Sequence, residues 1–237
     1  MAISELQLPG TVNVHELDNP ALLADTLARD VAERLRQAIA DKGVATVVLS
    51  GGRSPILFLE QLARQALDWS KVVVSLADER WVPTEHADSN AGLLQRHLLV
   101  GAAAQARFVG LYRASASLEL AADEADKALA ELPAIDVLVL GMGDDGHTAS
   151  LFPASPYLRE GLAKGSARRC LPMLAPSVPH QRLSMTRALL ASAAFIALSV
   201  QGQNKLDTLR AALAADDPTE MPIRAFLQDP LDIYWCP

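Results

Sequence analysis

A histidine, two carboxylates and three glycines crowd into one short segment, Leu140-Gly-Met-Gly-Asp-Asp-Gly-His-Thr-Ala-Ser-Leu-Phe-Pro153, directly after the apolar run 135–140. Glycines at the end of a strand let backbone approach a ligand closely and take φ > 0 at little cost. An imidazole at such a point can change charge near neutral pH. Asp145, two residues before His147, can fix the tautomer and orientation of the ring. Two readings stand side by side. His147 is a candidate general base, or it is a loop histidine that only bonds a backbone carbonyl.

The residues that could hold an anion lie elsewhere in the chain. Ser50-Gly51-Gly52 precedes an expected helix, so its backbone N–H groups could cradle a phosphate; a plain tight turn would need the same glycines. Arg80, in Asp78-Glu79-Arg80-Trp81, ends a second apolar run and could grip an anion as a bidentate fork. Lys205, after Gly202, opens a helix and offers a second positive charge, unless it is an ordinary exposed helix lysine. Arg53 and Arg182 are weaker candidates of the same kind. Gly141-x-Gly143-x-x-Gly146 formally matches a dinucleotide fingerprint. Asp144 and Asp145 would repel a pyrophosphate there, and Pro153 and Pro156 interrupt the helix that should receive it. No G-x-x-x-x-G-K-[ST] loop implies a nucleoside triphosphate. Ser50 lacks the G-x-S-x-G elbow of a serine nucleophile. No H-E-x-x-H motif or cysteine cluster suggests a metal.

These loops need a scaffold. Asp18-Asn19-Pro20 reads as a helix start, and Leu23, Leu27, Val31, Leu35 and Ile39 recur every fourth residue on one face. Residues 44–49 and 72–76 are short valine-rich runs of the kind buried on both faces of a parallel sheet. Further strands are expected at 135–140, 170–174, 183–185 and 195–200, with 233–235 closing the sheet. Helices are expected at about 55–67, 91–99, 118–132 and 204–214, with a short one between the strands at 183–185 and 195–200. Residues 78–90 read as a polar loop, and a proline-rich connector follows residue 174. Strands alternating with helices predict an α/β fold, a mostly parallel sheet with helices on both faces, in a single domain over 1–237. In such sheets ligands bind outside the carboxyl ends of the strands. The loops 50–55, 78–90 and 141–150 would therefore converge on one edge.

Composition sets the limits. At 237 residues with half of them hydrophobic, the chain can bury a core without staples. The net charge of −7 argues against a nucleic-acid partner. It leaves room for a local basic cluster, because charges beyond about 8 Å are largely screened at physiological salt. Cys170 and Cys236 form no C-x-x-C pair and fit a reducing compartment. Neither a signal peptide nor an apolar run of about 20 residues is visible, so the expectation is a soluble cytoplasmic protein with no membrane partner.

Five motifs taken together resemble the 6-phosphogluconolactonase family. They are Ser50-Gly-Gly-Arg-Ser-Pro55, Asp78-Glu-Arg-Trp-Val-Pro83 with Asp88-Ser-Asn90, Gly141-Met-Gly-Asp-Asp-Gly-His-Thr-Ala-Ser-Leu-Phe-Pro153, Arg182-Leu-Ser-Met-Thr186 and Gly202-Gln-Asn-Lys205. Each alone is modest; five in register over nearly the whole chain are specific. The resemblance implies a Rossmann-like fold of the glucosamine-6-phosphate deaminase/ribose-5-phosphate isomerase group. It implies hydrolysis of 6-phospho-D-glucono-1,5-lactone to 6-phosphogluconate, the second step of the oxidative pentose phosphate pathway, with no cofactor; the chain is expected to be a monomer. It assigns His147 as the base that activates water and Asp145 as its orienting partner. Arg80 and Lys205 would hold the 6-phosphate, with help from Ser50, Gly51 and Gly52 and with Arg182 as a further candidate. N–H groups of the loop spanned by Gly141, Gly143 and Gly146 could stabilise the oxyanion. Ser184 stands where threonine is more usual, and both carry a hydroxyl.

Two rival readings share this fold. Aminosugar-phosphate deaminases on this fold typically carry aspartate-glutamate-tyrosine after the second strand and isoleucine-alanine-phenylalanine after the loop histidine. Here the residues are Asp78-Glu79-Arg80-Trp81 and Thr148-Ala149-Ser150. A sugar-phosphate sensor would need a DNA-binding module, for which the residues before the first helix leave little room.

Overall fold

The longest helix, α1 (Pro20–Lys42), begins and ends as its sequence dictates. The Asn19 side chain caps it by accepting from the N–H of Leu22 at 2.9 Å, and Pro20 supplies a preset first turn. Gly43 takes the left-handed conformation at φ 79° and donates back to the Ile39 carbonyl, closing the last turn. Leu23, Leu27, Val31 and Leu35 are fully buried, each contributing about 1.5–3 kcal/mol. Ile39, at the end of the same stripe, is only partly buried.

The computed structural model describes residues 3–175 and 180–237. Within them the strands are β1 (Val12–Glu16), β2 (Ala45–Leu49), β3 (Val72–Leu76), β4 (Asp78–Arg80), β5 (Arg107–Val109), β6 (Val137–Leu140), β7 (Cys170–Met173), β8 (Arg182–Met185), β9 (Phe195–Gln201) and β10 (Leu231–Cys236). The remaining helices are α2 (Ile56–Ala63), α3 (Asn90–His97), α4 (Leu118–Leu129), α5 (Leu158–Leu162), α6 (Arg187–Leu190), α7 (Gln203–Leu213) and α8 (Arg224–Leu227).

Seven strands form one sheet in the order β1-β10-β9-β6-β2-β3-β5, and every neighbouring pair is parallel. Every residue of β2, β3 and β6 is buried, as a sheet covered on both faces requires. The chain leaves β2 toward β3 and β5 on one side. It then returns to β6 and builds outward through β9 and β10 on the other. The direction of winding thus reverses between β2 and β6, whose register sets Leu49 opposite Val139.

Three expectations need correction. Residues 78–90 are not a loop throughout: β4 occupies the first three, and α3 begins at Asn90. The runs at 170–174 and 183–185 are strands, but β4, β8 and β7 form a separate antiparallel sheet. Ala77 is the pivot between the two sheets. Its N–H bonds Leu49 in β2, while its carbonyl accepts from Met185 in β8. A one-residue pivot leaves no trace in hydrophobic periodicity. Finally, β10 lies inside the sheet, between β9 and β1, so that edge is β1, a strand too polar and exposed to stand out. Residues 176–179 of the proline-rich connector lie outside the described residues.

Among the described residues no helix is long and apolar enough to cross a membrane. Both cysteines are buried and unpaired. Burial pushes the Cys170 thiol up to about 12, which keeps it protonated and unreactive at neutral pH.

Candidate active site

A cleft opens at the carboxyl ends of β2 and β6, at the point where the winding reverses and open α/β sheets bind ligands. Four places in the sequence supply its candidate site residues, with α2, the start of α3 and β9 completing the walls. The turn after β2 supplies Ser50, Gly51 and Gly52; β4 supplies Asp78 and Arg80; the loop after β6 supplies Gly141, Gly143 and His147; and the first turn of α7 supplies Lys205.

The histidine loop is held by its own turn. The Gly143 N–H donates to the His147 carbonyl at 2.9 Å, and the Gly146 N–H donates to the Gly143 carbonyl at 3.1 Å. The Thr148 hydroxyl ties the loop back to the Gly141 carbonyl at 2.8 Å. Asp145 accepts from the His147 backbone N–H at 3.1 Å and faces the ring Nδ1 at 2.5 Å. In the neutral ring, a carboxylate beside Nδ1 favours the tautomer with the proton on Nδ1 and the lone pair on Nε2. Burial pulls the Asp145 carboxyl upward, but its bonds to the His147 ring and N–H outweigh this and hold it below the usual carboxylate range. The Phe152 ring packs against the imidazole at a 41° tilt, with centroids 4.4 Å apart. Ala149, next to this loop's Thr148 and lining the cleft, sits at φ 49°, a left-handed strain common at functional sites.

Gly143 is required by space rather than by φ. A Cβ there would lie 2.1 Å from both Cε1 and Nδ1 of His147. Gly51 is required in the same way, since its Cβ would lie 1.9 Å from Asn90 Oδ1. The N–H groups of Gly143 and Gly146, expected to face an oxyanion, donate here to the loop's own carbonyls.

On β4 the strand period of two divides the residues. Asp78 and Arg80 face the cleft, and Glu79 points the other way. Glu79 is fully buried and accepts from the N–H groups of Arg80, Asn90 and Ala91 and from the Ser89 hydroxyl. It thereby anchors the start of α3 to β4. Burial raises the Glu79 carboxyl pKa, against the pull of the three backbone donors. Arg80 is steadied by donating from Nη1 to the Asp88 carbonyl at 2.6 Å. Asp78 accepts from the Ser150 hydroxyl at 2.5 Å.

Lys205 is not bare. Its Nζ pairs with Asp144 Oδ1 at 2.5 Å, and Asp144 is 77% exposed where Lys205 is 24%. Ser50 Oγ is buried with no hydrogen-bond partner among the described residues, and it lines the cleft. Such an orphan is costly unless a ligand satisfies it.

Most of the residues expected at the site therefore meet in one cleft: His147, Ser50, Gly51, Gly52, Arg80, Lys205, Gly141 and Gly143. Asp145 supports the ring from behind. Gly146, at φ 76°, packs on Met221. Arg182 does not line the cleft. It is buried beside Arg80, donates to the His180 carbonyl at 2.8 Å, and lies 6.0 Å from the Phe152 ring centroid. Burial and the Arg80 charge lower its pKa. Arg53 is exposed. Sequence reasoning did not single out Asp78, Asn90 or Asp144. Reading 78–80 as a strand would have placed Asp78 beside Arg80, since residues two apart share a face.

A mostly parallel α/β sheet thus carries a His–carboxylate pair and two basic side chains in one cleft at its switch point. Residues 18–235 match the family described as Glucosamine-6-phosphate isomerases/6-phosphogluconolactonase, and the chain belongs to that family. A Pseudomonas putida protein named 6-phosphogluconolactonase is 76% identical over 237 residues, covering 100% of this chain and 98% of that protein. One of the same name from Pseudomonas aeruginosa is 61% identical over 238 residues, covering 100% of each. Among solved structures, a 6-phosphogluconolactonase from Shewanella baltica is similar at TM-score 0.93 and 36% identity, over 97% of this chain and 100% of that one. A monomeric glucosamine-6-phosphate deaminase, at 19% identity and TM-score 0.79 over 94% of this chain and 97% of that one, shares the fold.

Proposed function

We propose that this chain hydrolyses 6-phospho-D-glucono-1,5-lactone to 6-phospho-D-gluconate, the second step of the oxidative pentose phosphate pathway. The observation that carries the reading is the meeting of the His147–Asp145 pair with Arg80 and Lys205 in one cleft. Relatives of 76% and 61% identity bear the corresponding name.

In the proposed reaction the 6-phosphate lies between Arg80 and Lys205, with the Ser50–Gly52 turn beside it. His147 Nε2 takes a proton from water as the water oxygen bonds to the lactone carbonyl carbon. The tetrahedral oxyanion then collapses. The bond from that carbon to the ring oxygen breaks, and the imidazolium returns its proton to the departing oxygen. Asp145 orients the ring and stabilises its charged form. A lactone carbonyl is already electrophilic, so a positioned base and partial oxyanion stabilisation suffice. None of these steps calls on a cofactor.

The test is a pH-stat assay on freshly prepared phosphorylated lactone, corrected for spontaneous ring opening. Turnover supports the reading. Ammonia release from glucosamine 6-phosphate, or tight sugar-phosphate binding without turnover, would replace it.

Two consequences concern the phosphate. A phosphate is held alike in ground and transition states, so Arg80→Ala should raise KM by about ten- to hundredfold with a much smaller effect on kcat. An unchanged KM would remove Arg80 from the phosphate site. Asp144 competes with the substrate phosphate for Lys205. Asp144→Asn should therefore lower KM, and because the Asp144 carboxylate is largely exposed the gain is about two- to fivefold. Steady-state kinetics at low salt read this; a raised KM would mean that Asp144 positions Lys205 rather than masking it.

A further inference from the structure

One group of potential metal ligands lies outside the lining of the cleft: His86, Asp88 and His180 bring donor atoms to within 4.8 Å of one another. Two of them lie on the segment between β4 and α3, and the third shortly precedes β8. They are solvent-accessible, with side chains 43%, 54% and 25% exposed.

From this geometry we infer that His86, Asp88 and His180 form a binding site for a borderline divalent transition metal, with zinc as the reference ion. The donor set is two imidazoles and one carboxylate, which suits zinc, cobalt, nickel or copper better than the oxygen-seeking magnesium or calcium. Three protein donors with solvent access to a fourth position make an open tetrahedral arrangement.

The spacing fits. Bonds of about 2.0–2.1 Å set tetrahedral ligand atoms about 3.3 Å apart. His180 Nε2 lies 2.8 Å from Asp88 Oδ2, and His86 Nδ1 lies 3.9 Å from the same oxygen, so the two distances bracket that value. The two imidazoles meet edge to face, with centroids 5.3 Å apart. His86 Nδ1 accepts from the Asp88 N–H at 3.1 Å, so a metal would have to take that lone pair from the backbone. Metal binding would break that bond and displace the proton between His180 and Asp88.

The position gives the site a consequence. Asp88 uses its carboxylate in the cluster and its carbonyl to hold Arg80. A metal at Asp88 would therefore brace the segment that steadies Arg80. The binding site itself does not depend on which lactone the cleft accepts.

Calorimetric titration of the tag-free chain with zinc chloride, beside a His86→Ala/His180→Ala variant, tests the proposal. The wild type should bind about one equivalent more than the variant. Zinc taken up by His147 and Asp145 is common to both proteins and cancels in the difference. Asp88→Asn, which keeps the backbone carbonyl on Arg80, should weaken zinc binding by about tenfold or more. The cobalt form of the wild type should show visible absorption that the double variant lacks. Circular dichroism checks that each variant is folded. Equal zinc stoichiometry and affinity in a folded double variant and the wild type would overturn the site.

Discussion

Replacing His147 by alanine should lower kcat by about 10²–10⁴-fold while leaving KM for the phosphorylated lactone nearly unchanged. The reasoning follows the geometry. The imidazole is the cleft-lining side chain whose tautomer is set by a carboxylate at 2.5 Å. Arg80 and Lys205, the groups assigned to the phosphate, lie on other elements and are untouched by the change. Losing the base should thus separate chemistry from binding. The residual rate should come from substrate held beside water that nothing deprotonates. A His147→Ala enzyme that keeps full kcat above spontaneous hydrolysis would show that another group is the base.

The second large effect is expected from a residue with no functional group. Gly143→Ala should lower kcat by about 10²-fold, because an ångström of misplacement at a catalytic group costs about that much. Gly143 is not among the glycines at positive φ, so alanine meets no backbone strain there. The obstacle is the imidazole itself, 2.1 Å from the added methyl, with Asp145 Oδ1 at 2.8 Å. The ring cannot yield without losing Asp145, so the pair moves or separates. Stopped-flow and steady-state rates should show the loss in kcat, with KM within about threefold of the parent because the phosphate groups are unaffected. Wild-type kcat in this variant would mean that the loop shifts as a unit and that Gly143 has no part in placing the ring.

The two substitutions also divide the question. A loss with alanine at 147 and none at 143 would keep the base and reject the tight seat. Loss in both supports the seat as drawn. The result with Gly143 is the more exacting, since it depends on a distance of closest approach and not merely on the presence of a proton acceptor.

How much of this was legible beforehand can be judged from particular residues. The Leu23–Leu35 stripe, the valine runs of β2 and β3, and the Asn19–Pro20 start with its Gly43 stop are local signals, and local chemistry produced the expected elements. The functional loops were legible for the same reason. Glycine, histidine and paired carboxylates after a strand are rare enough to be noticed, and the convergence of loops follows from parallel strands alone.

What residue order could not disclose was pairing at a distance. That β4 leaves the main sheet at Ala77 depends on β8 arriving beside it from more than a hundred residues away. That β10 is interior depends on β1, a polar strand whose only evidence is its partner. Lys205 and Arg182 show the same divide. Both were candidate cations in the sequence, yet one lines the cleft bound to Asp144 while the other is buried beneath Arg80. The cluster of His86, Asp88 and His180 also exists only in three dimensions, because ninety-two residues separate two of its members. Backbone propensity and side-chain period act over a few residues, and they chose the elements and the types of group at their ends. Which cation meets the ligand, which is paired, and which histidines meet are set by packing between distant segments, where burial and charge pairing outweigh anything a neighbouring residue can impose.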